Sequence, residues 1–258
     1  MDVDRSDGAM SRSNGVSFEN LTLGYGRHPA VHHLNGKLAR GSLTAIIGPN
    51  GAGKSTLTKG IVGTIKPLQG RVVLHDTDAE RIAYLPQLAE IDRSFPLRVE
   101  ELVALGLWRE TGLFGSTRKH QPRIAEAIAV VGLEGFEKRT IGTLSGGQLQ
   151  RTLFARLLVQ DASLIVLDEP FNSLDSKTAA DLMHMVNRWH GEERTVMVVL
   201  HDLECVREHF PQTLMIAREL IGLGATEDVL TAANLLRARQ LHEAFDNHAA
   251  VCELDTAA

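Results

Sequence analysis

One short segment of the chain has the composition of a phosphate-binding loop. It reads Gly48-Pro49-Asn50-Gly51-Ala52-Gly53-Lys54-Ser55 and matches the pattern G-x-x-x-x-G-K-[ST] at every required position. Glycines let such a loop curl so that its backbone N–H groups point at phosphate oxygens, and a helix that begins at Lys54 adds its positive end. In this pattern the lysine reaches the β- and γ-phosphates and the Ser55 hydroxyl contacts Mg²⁺. The predicted nucleotide-binding residues are Gly48, Pro49, Asn50, Gly51, Ala52, Gly53, Lys54, Ser55 and Thr56.

A second candidate lies where an apolar run ends in two carboxylates. Residues 164–167 (Leu-Ile-Val-Leu) are typical of a buried strand, and Asp168 and Glu169 follow them. Beside a phosphate loop, Asp168 can hold the metal, directly or through water, and Glu169 can polarise the water that attacks the γ-phosphate. Without such a loop, the pair would be read as the solvated end of a strand.

A third segment distinguishes between the classes of protein that contain a phosphate-binding loop. Leu144-Ser145-Gly146-Gly147-Gln148 precedes a helical stretch that continues through Arg156, and a serine and two glycines at a helix N-terminus form a second phosphate-binding surface. With this segment the chain resembles the nucleotide-binding subunits of ATP-binding cassette (ABC) transporters, because adenylate-type kinases and GTPases share the phosphate loop but lack these five residues. The resemblance implies that residues 144–148 bind the ATP of a partner subunit, so that two nucleotides are sandwiched in a head-to-tail homodimer.

The resemblance covers about residues 16–230 and assigns four further positions. Tyr25 is similar to the aromatic residue that stacks on adenine, and Gln87 to the glutamine that senses Mg²⁺ and links to the membrane partner. Ser173-Leu174-Asp175 resembles the D-loop at the dimer interface, although alanine is common where Ser173 stands. His201 resembles the histidine that contacts the γ-phosphate.

Taken together, these matches imply an ATPase with ATP and Mg²⁺ as its cofactors. The catalytic residues implied are Glu169, His201 and Lys54. The Mg²⁺ ligands implied are Ser55, Gln87 and Asp168.

Composition excludes several other classes. The chain has 258 residues, 43% of them hydrophobic, and 27 Lys plus Arg against 32 Asp plus Glu, a formal net charge of −5. A mildly acidic chain is a poor candidate for sequence-blind binding to nucleic acid. The longest apolar runs are the length of strands, far below the ~18 residues that a membrane span requires. We expect a soluble chain, not secreted, whose role at a membrane comes through a partner.

Strand and helix patterns alternate along the chain, which predicts an α/β fold. The predicted strands are 16–23, 43–47, 71–74, 82–84, 164–167, 195–200, 213–217 and 220–223, and the predicted helices include 54–65, 99–107, 124–131 and 176–189. Residues 88–160 have hardly any strand pattern and are interpreted as an inserted α-helical subdomain. The resemblance implies a P-loop NTPase (RecA-like) core with a mainly parallel sheet and an N-terminal antiparallel β part. The predicted divisions are a disordered tail (1–15), an ATPase domain (16–235) and a helical tail (236–258).

The segment after Gln87 offers a clue to the cargo. Phe95-Pro96, the helix that follows, Trp108 and Gly112 resemble the helical subdomain of zinc and manganese importer ATPases. Iron-siderophore ATPases share parts of this pattern, and any ABC ATPase places a proline and an amphipathic helix here. The resemblance implies the ATPase of a bacterial importer for a transition metal, zinc first, with manganese or an iron chelate as alternatives. A soluble ABC ATPase of the Fe–S assembly type is the remaining alternative, because its length is similar.

The partners implied follow from this reading. They are an integral-membrane permease, a second ATPase subunit when ATP is bound, and, indirectly, a periplasmic or extracellular metal-binding protein, with no nucleic acid. The chain would then be peripheral, on the cytoplasmic face of the bacterial inner membrane.

Overall fold

The computed structural model describes residues 14–26, 28–75, 82–112 and 116–245. Nearly all of the predicted tail 1–15, and residues 246–258 of the predicted helical tail, lie outside these ranges. The strands are β1 (Asn14–Tyr25), β2 (His28–Ala39), β3 (Leu43–Ile47), β4 (Gln69–Leu74), β5 (Ile82–Leu85), β6 (Leu164–Asp168), β7 (Thr195–Val199), β8 (Gln212–Ala217) and β9 (Glu219–Ala225).

The helices lie between these strands or after them and vary in length from four to sixteen residues. They are α1 (Lys54–Ile61), α2 (Val99–Ala104), α3 (Trp108–Thr111), α4 (Gln121–Val130), α5 (Gly146–Gln160), α6 (Ser176–Gly191), α7 (Leu203–His209), α8 (Thr226–Val229) and α9 (Ala232–Phe245). Single 3₁₀ turns cover Leu88–Glu90, Leu105–Leu107, Arg118–His120 and Ile141–Thr143. None of the helices in the described part of the chain is long and apolar enough to span a membrane.

A six-stranded sheet in the order β5-β6-β7-β3-β8-β9 forms the centre of the molecule. Its first five strands are parallel and β9 is antiparallel to β8. Every residue of β3, β6 and β7 is buried, as expected for parallel strands covered on both faces. The carboxyl ends of these strands meet at one edge, where Gly48, Asp168 and His201 follow or end them. This confirms the predicted mainly parallel core.

An antiparallel sheet in the order β2-β1-β4 forms the predicted N-terminal β part. The sequence-based prediction omitted β2, and this was wrong. The buried residues Val31, Leu34 and Leu38 of β2 are three and four positions apart, a spacing that suggests a helix rather than a strand. Several register shifts between β1 and β2 let residues at this spacing face the same core.

Helices α2 to α5 form the inserted helical subdomain, as predicted. Their buried residues, including Val99, Leu102, Ile128 and Leu153, belong to the same hydrophobic cluster as strands β3, β6 and β7. Phe154 of α5 stacks on Trp189 of α6, with ring centroids 5.6 Å apart. The subdomain therefore has a continuous apolar contact with the sheet core.

Two predicted element ends differ from the structure. α1 ends at Ile61 rather than at residue 65, because Gly63 (φ +76°) turns the chain four residues before Pro67. The predicted division at 235/236 falls inside α9, and Ala238 of this helix is buried in the core. The domain divisions themselves stay predictions.

Candidate functional site

The phosphate loop is held between two other strands. A Cβ atom added at Gly48 would lie 2.0 Å from the carbonyl oxygen of Ile216 in β8, and one added at Gly53 would lie 2.5 Å from that of Ala30 in β2. Gly53 also has a φ of +92°, which favours glycine, and it precedes α1. The fold itself therefore requires glycine at both ends of the loop, and the N-terminus of α1 opens directly into it.

Lys54 is folded back onto this loop. Its side chain is buried, and Nζ donates hydrogen bonds to the carbonyl oxygens of Gly48 and Pro49, each at 2.9 Å. Burial lowers the pKa of Lys54, and the nearby carboxylates of Glu169 and Asp168 oppose that effect. The ammonium thus lies inside the loop, with acidic groups as its electrostatic partners.

The three predicted Mg²⁺ ligands are brought together. Gln87, directly after β5, donates from Nε2 to Ser55 Oγ at 3.2 Å. Burial raises the pKa of Asp168, and the polar side chains of Ser55, Thr58 and Gln87 near its carboxylate oppose the shift. Thr58 Oγ1 lies 3.2 Å from Asp168 Oδ2.

This oxygen-rich cluster suits a hard divalent cation. Asp168 is fully buried, and its Oδ1 atom has no hydrogen-bond donor among the described residues. A buried carboxylate oxygen without a protein donor is costly unless another group satisfies it, and Mg²⁺ prefers oxygen ligands. The residues present therefore fit Mg²⁺, which Ser55 and Asp168 would hold with Gln87 next to them.

Glu169 and His201 form a close pair. His201 Nε2 lies 2.6 Å from Glu169 Oε1, and Asn172 Nδ2 donates to Glu169 Oε2 at 2.9 Å. Glu169 has a φ of +51°, so the backbone turns sharply as β6 ends. Both residues line a cavity of about 440 Å³ between the starts of α6 and α7. Asn172, which holds the second carboxylate oxygen, was not identified from the sequence.

Tyr25 lies at the end of β1 with its ring largely exposed. Its phenol is in electrostatic range of Lys59 in α1, the helix that starts at the phosphate loop. The position is compatible with the predicted stacking on a base. Lys59 also forms an ion pair with Glu90 at 2.8 Å, three residues after Gln87.

Residues 144–148 form the N-terminus of α5. Ser145 Oγ accepts a hydrogen bond from the Gln148 backbone N–H at 3.2 Å, and Gln148 Oε1 accepts one from the Ser145 N–H at 3.0 Å. This reciprocal capping box satisfies two donors at the helix end. Leu144 is buried, whereas Ser145 is exposed and Gly146 and Gly147 are half-buried.

The predicted D-loop lies next to this segment. Leu174 and Thr178 are the nearest neighbours of a Cβ placed on Gly147, at 3.9 and 3.7 Å. Ser173 has a φ of +59°, and Asp175 caps α6 by accepting from the Thr178 N–H at 2.9 Å. Within the described ranges, no hydrogen bond or ion pair joins residues 144–148 or 173–175 to the phosphate loop. The structure thus brings the predicted site residues together in two groups.

A fold with a phosphate loop, an acidic strand end and a paired glutamate and histidine at one sheet edge defines the class of P-loop nucleoside triphosphatases. The family model described as ABC transporter matches residues 31–172. The chain is 38% identical over 221 residues (84% of this chain, 92% of the relative) to the manganese transport system ATP-binding protein MntB of Listeria monocytogenes. It is 37% identical over 228 residues (86% of each) to the zinc transport system ATP-binding protein TroB of Treponema pallidum.

A solved structure agrees with these matches. A transporter assigned to the metal-chelate type of ABC transporter, in an inward-facing conformation, superposes with a TM-score of 0.77 at 28% identity, covering 88% of this chain and 90% of that chain. The chain belongs to the ABC transporter family, whose ATPases bind ATP. It is an ATP-hydrolysing enzyme of the transport type.

Proposed function

We propose that this chain is the ATPase subunit of an importer for a transition-metal ion, with zinc and manganese as the candidate cargoes. The observation that carries the proposal is the identity of 37–38% to the ATP-binding proteins of a manganese and a zinc transport system along most of both chains. The zinc preference suggested by residues 95–112 gains nothing over manganese from these relatives, which support both metals equally.

Metal uptake in cells tests this function. In cells that produce only the Glu169→Gln variant, we expect the chain to fold but not to hydrolyse ATP. These cells therefore show whether uptake requires ATP hydrolysis or only the presence of the subunit. We expect uptake of one radiolabelled metal, ⁶⁵Zn²⁺ or ⁵⁴Mn²⁺, to fall to the level of a deletion strain while the other is unchanged. Unchanged uptake of both metals would contradict the metal cargo.

The geometry supports a hydrolytic mechanism of positioning and charge neutralisation. We infer that the backbone N–H groups of the loop and Lys54 bind the β- and γ-phosphates, and that Lys54 then exchanges its carbonyl partners for phosphate oxygens. Mg²⁺, when bound by Ser55 and Asp168 beside Gln87, neutralises phosphate charge. Glu169 orients the attacking water. His201, whose Nε2 lies 2.6 Å from Oε1 of Glu169, contacts the γ-phosphate. Asn172 keeps the glutamate carboxylate facing the histidine.

We also propose that two chains bind two ATP molecules between them. Nothing in the described residues requires glycine at positions 146 and 147, because an added Cβ would meet its nearest neighbours at ordinary distances of 3.7–3.9 Å and neither residue has a positive φ. The fold does not need glycine at these two positions. Because glycine has no side chain, two glycines at an exposed helix N-terminus allow a ligand from outside the chain to approach the backbone closely. The ATP bound to the loop of a second chain is that ligand.

The permease is proposed to dock on the helical subdomain beside residue 87. Phe95 and Trp108 are large apolar residues that are 59% and 53% exposed, and Leu105 between them is also exposed. They follow the Gln87–Glu90 segment. Ser55 and Lys59 of α1 contact this segment through a hydrogen bond to Gln87 and an ion pair with Glu90, so docking here would change the position of residues at the phosphate site. On this basis the chain would lie at the cytoplasmic face of the inner membrane.

Co-purification distinguishes this arrangement from a soluble assembly role. We expect an affinity-tagged chain to retain a polytopic membrane protein, and the Trp108→Ser variant to lose it. Leu236→Ser is the matched control, because Leu236 of α9 is equally exposed (58%) but lies in another helix. Recovery of a soluble scaffold instead would favour the assembly-type alternative.

A further inference from the structure

A buried threonine outside the sequence motifs contacts the acidic strand end. Thr58 is fully buried in α1, one turn after Lys54. Its Oγ1 lies 3.2 Å from Asp168 Oδ2 and 2.9 Å from the backbone carbonyl oxygen of Ser55. A hydroxyl has one hydrogen, so these two acceptors compete for it.

A second buried hydroxyl lies behind the first. Tyr84 of β5 is adjacent to β6 in the sheet, its Oη is buried without a short hydrogen bond among the described residues, and Thr58 is the side chain whose hydroxyl interacts with the phenol. Burial raises the pKa of Tyr84 to about 12, so at neutral pH the phenol is protonated and can donate a hydrogen bond. A buried phenol without a partner costs stability, which suggests a role other than packing.

We propose that Thr58 is a positioning residue for the metal site, which donates to Oδ2 of Asp168 and so directs Oδ1 toward Ser55 and Gln87. Tyr84 supports this arrangement by donating to the Thr58 oxygen, so that Thr58 does not spend its single hydrogen on the phenol and can donate it to the carboxylate. The proposal rests on the proposed Mg²⁺ site. Groups that orient metal ligands in this way commonly change metal affinity or activity by about 10–100-fold when removed.

Binding of a fluorescent ATP analogue, measured with Mg²⁺ and with EDTA, tests the role without relying on hydrolysis. We expect Thr58→Val to bind the analogue in EDTA as the unaltered chain does, but to lose about tenfold of the gain that Mg²⁺ provides. Thr58→Ser keeps the hydroxyl and should retain that gain. Thr44→Val is the matched control, because Thr44 is also fully buried but, among the described residues, its hydroxyl bonds Ser42 and not the metal site.

Tyr84→Phe provides a second variant in case Thr58→Val does not fold. Because the phenol has no short hydrogen bond among the described residues, removing its hydroxyl should change the melting temperature little, yet reduce the Mg²⁺-dependent gain by a few-fold. If the unaltered chain shows a Mg²⁺-dependent gain and Thr58→Val shows the same gain, Thr58 only bonds the Ser55 carbonyl and the inference is wrong. If the unaltered chain itself binds no better with Mg²⁺, the proposed metal site fails instead.

Discussion

The glycine-containing segments 48–53 and 144–148 both lie at helix N-termini, and they differ in why the glycines are needed. In the loop 48–53, glycine is required by the chain itself. A Cβ at Gly48 would clash with a backbone carbonyl of β8, and a Cβ at Gly53 would clash with one of β2. In the segment 144–148, a capping box already completes the helix end, and Gly146 and Gly147 have room for a side chain. The first site is complete within one chain. The second is stable alone, and its glycines make sense when a second chain brings a nucleotide to it.

The largest expected effect comes from Glu169→Gln. Glutamine keeps the shape of the side chain but removes the charge that polarises water, so we expect hydrolysis to fall by about 10²–10⁴-fold. ATP would then stay bound between the two segments, and gel filtration should show a dimer in Mg-ATP and a monomer without nucleotide. Hydrolysis at the parental rate would exclude Glu169 as the base.

Asp168→Asn is the matched comparison for that variant. It alters the neighbouring carboxylate and leaves Glu169 intact, and because the proposed Mg²⁺ ligand is weakened we expect no stable dimer in Mg-ATP. A Glu169→Gln chain that remains monomeric in saturating Mg-ATP would remove the main support for a nucleotide shared with residues 145–148.

Lys54→Ala should affect the first segment alone. Hydrogen bonds to charged groups contribute about 1.5–3 kcal/mol, so ATP affinity should fall by roughly 10–100-fold. Stability should change little, because the desolvation of the buried Lys54 ammonium offsets its hydrogen bonds to the loop carbonyls. Lys66→Ala is the control, since Lys66 is exposed just beyond the end of α1. Equal ATP affinity of the Lys54→Ala and unaltered chains, measured by calorimetry, would contradict the phosphate-site assignment.

Alanine at Gly48 and at Gly147 tests the comparison directly. Gly48→Ala forces a Cβ into the Ile216 carbonyl, and overpacking of this kind costs about 1–3 kcal/mol. Gly147→Ala adds a better helix former whose Cβ meets its neighbours at ordinary distances, so stability should be unchanged or higher by up to about 1 kcal/mol. In the Glu169→Gln background, however, Gly147→Ala should prevent the ATP-dependent dimer. Denaturant unfolding and gel filtration measure the two effects, and equal destabilisation by both substitutions would show that the segments do not differ as argued.

The sequence sufficed for the parts of this molecule that follow local chemistry. The parallel strands were predictable because their runs are short, apolar and bounded by turns, and the order of motifs along them defined the edge where Gly48, Asp168 and His201 meet. β2 was not predictable from periodicity, since bulges in its pairing with β1 let residues three and four apart face one core. Predicting a strand at residues 28–39 requires knowing how it pairs with β1, and that pairing is set by the fold rather than by the local sequence.

Residues that act through long-range contacts were also missed. Thr58 lies three residues after Ser55 on α1, so its place on the helix was readable, but its acceptor Asp168 is 110 residues away. Asn172 follows Glu169 by three residues and reaches it through a turn that starts at Glu169 (φ +51°) and in which the Asn172 N–H donates to the Glu169 carbonyl. No pattern of residue types announces such a turn.

The smallest expected effect concerns Ser145, where capping and nucleotide binding can be separated. Ser145→Ala removes the cap of α5 and should lower stability by about 1 kcal/mol. Ser145→Asp keeps a good N-cap and places a negative charge at the positive helix end, so its stability should match or exceed that of the unaltered chain. The same charge repels a phosphate, and in the Glu169→Gln background both variants should fail to dimerise in Mg-ATP, whereas Ser145→Thr should dimerise. If Ser145→Asp dimerises normally, the hydroxyl serves only as a helix cap, and the second segment loses its proposed contact with the partner's ATP.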